Sequence, residues 1–370
     1  MLFRSGMTAT GIPNYRLPKE VLKRELSIIE TLGGKIMYNQ RLGKDFTISS
    51  LLAKGYKAIF LGVGTQKGKT LDIPGEHRST KGYKSGISFL LYINYYYINM
   101  DLPIDLGDTL VVVGGGNVAM DCARSALRLG VKNVHLIYRR TRNEMPADKM
   151  EVEAAEAEGV RFHFLTHPVQ INTKDNAVTG LKLIKMKLGD PDDSGRQGVR
   201  PIEGSEFDLP CDFVIPAIGQ QVDTVMFKPE DGIEINRWGC IQTEPVNLMT
   251  SRKGIFAGGD CVLGPATLIE AIAQGIQGAD SIDDYLSYGR VRFNYDNRMG
   301  ELFKDIIKLD RDYLKVPVRP QRRITAEELD PEIRKRIFEE VEKPITLEQA
   351  YSESARCMRC YRVSLAITER

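Results

Sequence analysis

The feature that most constrains this chain is the run Thr109-Leu110-Val111-Val112-Val113-Gly114-Gly115-Gly116-Asn117-Val118-Ala119-Met120-Asp121, an apolar strand, a glycine turn and a helix start in immediate succession. An uninterrupted Leu and Val run suits a parallel strand buried on both faces. Gly114 permits the tight turn. Gly116 lets the backbone approach a pyrophosphate with no Cβ in the way, and Ala119 takes the place of a third glycine where helix and strand pack closely. An anion at this point meets the unpaired N–H groups and the positive dipole end of a helix. A second strand, residues 133–138, follows after Leu129-Gly130 closes the helix, which gives the glycine pattern the βαβ context it needs. The candidate cradle is therefore Gly114, Gly115, Gly116, Asn117, Val118 and Ala119. Taken alone, a G-x-G-x-x-A pattern is also compatible with a plain strand-to-helix turn.

A chain of 370 residues has length for two or three domains and a core that needs no disulfides. Lys plus Arg number 51 and Asp plus Glu 49, and a net charge of +2 offers no bulk attraction to nucleic acid or to a membrane surface. The six cysteines are mostly scattered singly, which does not make a secreted disulfide framework and suits a reducing, cytoplasmic setting. Residues 1–6 lack the apolar core of a signal peptide. The longest apolar and aromatic stretch, residues 87–100, is shorter than the roughly 20 residues of a membrane helix and carries Asn94 and Asn99, so no span is expected.

Taken in order, residues 11–18 read as an irregular loop, 19–32 as a helix stopped by Gly33-Gly34, and 35–39 as the start of a strand. Residues 48–54 form a short helix, and 57–61 a strand running into Gly62-Val63-Gly64. Residues 211–219 are another strand ending in a turn, and 187–195 a polar, hairpin-like excursion expected to be a solvated surface loop. Ile255-Phe256-Ala257-Gly258-Gly259-Asp260 is a short strand ending at a carboxylate, followed by the helix 269–285. An Asp at that point accepts hydrogen bonds from sugar-like hydroxyls or caps the next turn. From about residue 291 the composition turns strongly charged and reads as an appendage of amphipathic helices, the last opening with Thr346-Leu347-Glu348-Gln349, a capping-box pattern.

Six ordered segments together resemble the small subunit of NADPH-dependent glutamate synthase and its flavoprotein relatives. They are Gly11-Ile12-Pro13 with Leu17-Pro18, Asp72-Ile73-Pro74-Gly75-Glu76, Gly114 to Asp121, Tyr138-Arg139-Arg140 with Glu144-Met145-Pro146, Pro216-Ala217-Ile218-Gly219-Gln220, and Gly258-Gly259-Asp260. The resemblance implies an α/β fold of two nested Rossmann-like dinucleotide-binding domains, the FAD domain incomplete at its N-terminus, with a small helical C-terminal extension. It divides the chain at 1–105 (partial FAD domain), 106–216 (NAD(P)H domain), 217–290 (returning FAD segment) and 291–370 (extension). It implies FAD held by Gly259 and Asp260 with backbone near Thr267 and Leu268, NADPH on the glycine turn, and hydride passing from NADPH to FAD and electrons on to iron–sulfur centres. No residue is assigned an acid, base or nucleophile role, because the task is placing two rings face to face.

The NADPH expectation also rests on the residues themselves. The second strand ends at Arg139-Arg140 with no acid before Glu144, and guanidinium forks suit a 2′-phosphate where a carboxylate would repel it. The family's N-terminal cysteines and first FAD-binding βαβ unit have no counterpart here, because only about ten residues precede Gly11 and such a unit takes roughly 30. Either the chain is a fragment of a larger gene product or a second polypeptide supplies the missing FAD half-domain, and the resemblance also implies a partner subunit that carries iron–sulfur clusters. Cys357 and Cys360, in Cys357-Met358-Arg359-Cys360, are the expected metal ligands, half of a 4Fe-4S set shared with that partner. Two other readings stay open at this point: a disulfide reductase, which needs a cysteine pair near the flavin, and a non-catalytic assembly subunit with an incomplete FAD site.

Overall fold

The structure is a computed structural model that describes residues 6–98, 102–191, 197–292 and 323–356. It divides into two compact units whose segments alternate along the chain. The first comprises Met1–Gln40, Gly64–Asp223 and Leu329–Val341; the second comprises Arg41–Val63, Thr224–Glu328 and Glu342–Arg370.

The first unit is built on a four-stranded parallel sheet in the order Phe213–Pro216, Thr109–Val113, Asn133–Ile137, Arg161–His163. Alternation along its strands divides the apolar residues between two cores. Leu110, Val112, Leu136 and Ile215 face a layer of helices, where they meet Ala119, Met120, Ala123 and Ala126 of the helix Asn117–Arg128 and Phe89 and Leu90 of the helix Gly86–Leu91. Val111, Val113, Ile137 and Val214 face the other way, onto Ile171, Val178, Leu181 and Leu183. These last residues belong to an antiparallel sheet of Thr166–Lys174, Ala177–Pro191 and Gln197–Pro201, with Phe207–Pro210 also paired to the long strand. Asp175 and Asn176, both at positive φ, make the two-residue turn that a tight hairpin demands.

Three sequence expectations change here. Residues 35–39 form no strand. The polar stretch from residue 187 is strand as far as Pro191, paired with Gln197–Pro201, so it is a hairpin arm instead of a loop. Among the described residues of the extension, 323–356, helix is limited to the single turn Pro331–Arg334 and to Leu347–Arg356, the latter capped by Thr346 and Gln349 as the pattern required. Nor are residues 329–341 an appendage, since they pack into the first unit.

They do so through charge. Glu158, whose side chain has no exposure, accepts from Arg124 and Arg128 at 2.7 and 2.6 Å and forms an ion pair with Arg334 at 3.0 Å. Arg16, from the segment 11–18, donates to Asp121 at 2.9 Å and to Glu151 at 2.8 Å. Tyr15 is 1% exposed, with the Arg128 guanidinium carbon 3.8 Å from its ring centroid. Burial raises the Asp121 carboxyl to about 6 against the pull of Arg16.

The second unit holds a two-stranded parallel sheet, Ile59–Leu61 beside Ile255–Ala257, and the 21-residue helix Leu268–Tyr288. The Phe60 ring lies against two glycines: a Cβ on Gly278 would stand 2.3 Å from it, and one on Gly258 2.8 Å. Ile255–Ala257 has a further bridge from Met249, whereas Ile59–Leu61 has no strand on its other side among the described residues. No described helix is long and apolar enough to cross a membrane.

On neighbouring strands of the parallel sheet, His135 Nδ1 and His163 Nε2 lie 2.8 Å apart. Burial first, then His163 and Arg161, lowers His135 to about 4. An unfolded histidine titrates near 6.5. As pH falls through the window from 6.5 to 4 the unfolded chain takes up a proton that the folded chain refuses, so stability drops there and levels off below 4. Urea unfolding at stepped pH should give a steeper loss across that window for the wild type than for His135→Gln, and parallel curves would exclude the effect.

Candidate nucleotide-binding site

The glycine turn is shaped by three different demands. Gly114 has φ +151°, and a Cβ there would stand 2.3 Å from the Ala217 carbonyl oxygen and 3.4 Å from the Ala119 methyl. Gly115 lies over the Tyr138 ring, which a Cβ would meet at 2.4 Å. Both glycines are thus required by the protein's own packing. Gly116 is not: its φ is −97°, and the nearest atom to a Cβ there is Pro146 Cγ at 4.0 Å. The space beside Gly116 is the cradle a side chain would fill, and it lies at the N-cap of the helix Asn117–Arg128. That helix start has no side-chain cap and no acid in its first turn, which leaves its dipole to an incoming anion. Asn117 is exposed, Val118 half-buried and Ala119 buried.

A strap of residues 141–148 runs along this turn. Ala147 N–H donates to the Gly115 carbonyl at 3.1 Å, Asp148 N–H to Asn117 Oδ1 at 2.9 Å, and Tyr138 O–H to the Glu144 carbonyl at 2.6 Å. The strap opens on a capping box formed by Thr141 and Glu144. Sequence reasoning gave neither Tyr138 nor the strap a role, although both fall within the quoted motif around Glu144-Met145-Pro146; a bulky ring just before the paired arginines was the available signal.

The two arginines separate. Arg139 is exposed at the strand end, and its charge bears on His167, which is held below the ordinary range chiefly by burial. Arg140 is 4% exposed, and its Nε donates to the Gln197 carbonyl at 2.6 Å while Nη1 is buried without a hydrogen bond. Arg142 pairs with Glu156 at 2.8 Å on the surface.

The residues expected at a flavin lie in the second unit. Gly259, at φ +75°, is the N-cap of the helix Asp260–Leu263, and its N–H donates to Gln274 Oε1 at 2.6 Å. Asp260 is half-buried, and its carboxylate accepts from Ala266 N–H at 3.3 Å, so part of its acceptor capacity closes its own loop. Thr267 caps the long helix in a capping box with Glu270. Leu268, Ile269, Ile272 and Ile276 leave that helix with an exposed apolar face, Ile269 at 69%. Cys357 and Cys360 lie outside the described residues. The four described cysteines, 122, 211, 240 and 261, are each buried and unpaired with one another, and burial raises the Cys211 thiol to about 12, the reverse of what thiolate redox chemistry needs.

With this geometry in view, comparison with known proteins is decisive. The pattern of the family described as pyridine nucleotide-disulphide oxidoreductase matches residues 8–275. The chain belongs to this family. Membership carries the class: an oxidoreductase built for a pyridine nucleotide and a flavin. The chain is 43% identical over 366 residues to the NADP(+)-dependent formate dehydrogenase subunit beta of Moorella thermoacetica, covering 98% of this chain and 50% of that one. It is 34% identical over 291 residues to the glutamate synthase [NADPH] small chain of Escherichia coli, covering 76% of this chain and 61% of that one, which bears out the resemblance read from the six segments. The chain thus spans about half to three-fifths of the length of these relatives. Among solved structures, FprA of Mycobacterium tuberculosis in complex with NADPH shares the fold at TM-score 0.62 and 18% identity, over 80% of each chain. The α/β, two-unit architecture expected from the sequence is the architecture of the family.

The three glycines should respond differently to a methyl group. Gly115→Ala forces the Tyr138 ring aside and is expected to cost about 1–3 kcal/mol, whereas Gly116→Ala should stay within about 1 kcal/mol, the cost of a poorer N-cap. Urea midpoints of the two variants check this, and equal losses would mean that the packing seen beneath Gly115 does not govern the turn.

Proposed function

We propose that this chain is the pyridine-nucleotide and flavin subunit of an electron-transfer enzyme, taking hydride from NADPH onto FAD and delivering electrons to iron–sulfur centres. The observation that carries the reading is the glycine turn: a helix start with no cap, no acid and an open flank at Gly116, directly after a strand buried on both faces. Gly114 to Ala119 would hold the pyrophosphate. Arg139, exposed at the end of the second strand, would take the 2′-phosphate in a planar fork. Arg140 would position that strand end through the Gln197 carbonyl instead of touching the nucleotide.

In this reading residues 106–216 are the NADPH domain, 1–105 and 217–290 contribute to the FAD domain, and 291–370 form the extension. Gly259 and Asp260 would face the ribityl or phosphate region, with backbone near Thr267 and Leu268 toward the flavin ring. When bound, the flavin supplies the change from two-electron to one-electron transfer; the chain's residues orient and shield it. The parallel sheet of the second unit supports completion by further polypeptide. Two strands are few for a parallel sheet, and the free edge of Ile59–Leu61 together with the apolar flank of Leu268–Tyr288 suits an added βαβ half-domain. The names of the relatives, subunit and small chain, agree with an assembly. Cys357 and Cys360 would give half a 4Fe-4S ligand set, a role resting on the family resemblance alone, and the scattered cysteines suit a reducing, cytoplasmic setting.

Two measurements test this reading. The purified chain should bind NADPH, seen as a change in nucleotide fluorescence, while showing weak or no flavin absorption bands until a partner is added; tightly retained FAD in the isolated chain would overturn the shared-site part. Arg139→Ala should raise the dissociation constant for NADPH about tenfold, the loss of one charge-assisted contact, and leave NADH binding nearly unchanged. Equal losses for both nucleotides would remove Arg139 from cofactor choice.

A further inference from the structure

One helix face in the first unit carries more positive charge than its partners balance. Asp121, Arg124, Ser125 and Arg128 lie at i, i+3, i+4 and i+7 of the helix Asn117–Arg128, on one face. Against them pack Tyr15 and Arg16 from one segment, Glu151 of the helix Lys149–Ala157 and Glu158 at its C-cap, and Arg334 from residues 329–341. Four guanidinium groups, those of Arg16, Arg124, Arg128 and Arg334, share three carboxylates, those of Asp121, Glu151 and Glu158. Lys19 adds a further cation that bears on Asp121, its ammonium donating to the Thr8 and Ile12 carbonyls. The surplus is not at the surface: the side chains of Arg124, Arg128, Glu158 and Arg334 are at most 5% exposed.

The same place holds donors with no acceptor. Tyr15 Oη, Ser125 Oγ and Arg128 Nε are all buried and make no hydrogen bond. Buried polar groups are almost always satisfied, and a buried charge is tolerated only when it is paired. Lys19 is part-exposed and its ammonium is met by two carbonyls, so the buried excess is one guanidinium. Together with the three orphan donors it asks for a single ligand that only accepts hydrogen bonds and carries one negative charge. A water molecule can accept only two of these hydrogen bonds and would leave the charge.

We propose that the Tyr15–Ser125–Arg128 face of this helix binds a small monovalent anion of the halide class, with chloride as the ordinary occupant. The site is independent of the cofactor reading and lies on the flank of the nucleotide helix, not at its N-terminus. Its effect is structural. The anion completes a seam that joins residues 11–18 and 329–341 to the nucleotide helix, so the docking of both segments depends on it.

Crystals soaked in sodium bromide should show an anomalous peak within hydrogen-bond reach of Tyr15 Oη and Arg128 Nε. The wild-type protein should also melt at a higher temperature in sodium chloride than in sodium gluconate of equal ionic strength. Tyr15→Phe and Ser125→Ala are nearly isosteric and should fold; each should raise the chloride concentration for half-maximal stabilisation about tenfold, as one lost hydrogen bond to a charged group predicts. An ordered water without anomalous signal would overturn the proposal. So would a bromide peak with no chloride-dependent melting, an adventitious ion only, or a chloride advantage that persists unchanged in both variants.

Discussion

The strand Thr109–Val113 is the constraint on which the first unit depends. With no polar residue between Leu110 and Val113, neither face can be left in water, and period-two alternation sends Leu110 and Val112 to one core and Val111 and Val113 to the other. Both layers then have to exist. The helix layer brings Ala119 and Ala123 close enough for the turn to be tight, and the tight turn in turn needs Gly114, whose Cβ position is filled by the Ala217 carbonyl. A glycine pattern that reads as a ligand motif is therefore two-thirds packing requirement. Only the Gly116 position leaves room that protein does not use.

The sequence disclosed the turn, its helix and its second strand because each follows from residues within a few positions of one another. The strand Asn133–Ile137 and the helices Lys19–Thr31 and Leu268–Tyr288 were legible for the same reason, their period being local. What covers the second face of the parallel sheet was not. A doubly wound fold puts helices there, whereas here Ile171, Leu181 and Leu183 arrive on antiparallel strands, and the deciding signal is a pair of turn residues, Asp175-Asn176, inside a segment of ordinary polarity. Arg334 was illegible too: among many exposed charges in a charged segment, nothing local marks the one whose partner, Glu158, lies far back along the chain.

The candidate site divides in the same way. Position after a strand identified Arg139 and Arg140 together, but burial separates them, because the arm at Gln197 captures Arg140 from outside the βαβ unit. Tyr138 serves two surfaces at once, its ring flooring Gly115 and its hydroxyl fixing the strap at Glu144, and such double duty appears only when the turn is folded. Met145-Pro146 is tied to the site by its neighbours, since Ala147 and Asp148 bond directly to the turn and helix start.

The pairing of Ile59–Leu61 with Ile255–Ala257 has a consequence for synthesis. Its register joins Ile59 to Ile255, so the first strand emerges from the ribosome about 200 residues ahead of its partner. At about 5–20 residues per second that interval is roughly 10–40 s. The parallel sheet of the first unit, complete by Pro216, is finished earlier. For that interval Phe60 and its neighbours form an apolar strand with no sheet to join, a waiting edge of the kind that chaperones cover and that slow translation would expose for longer.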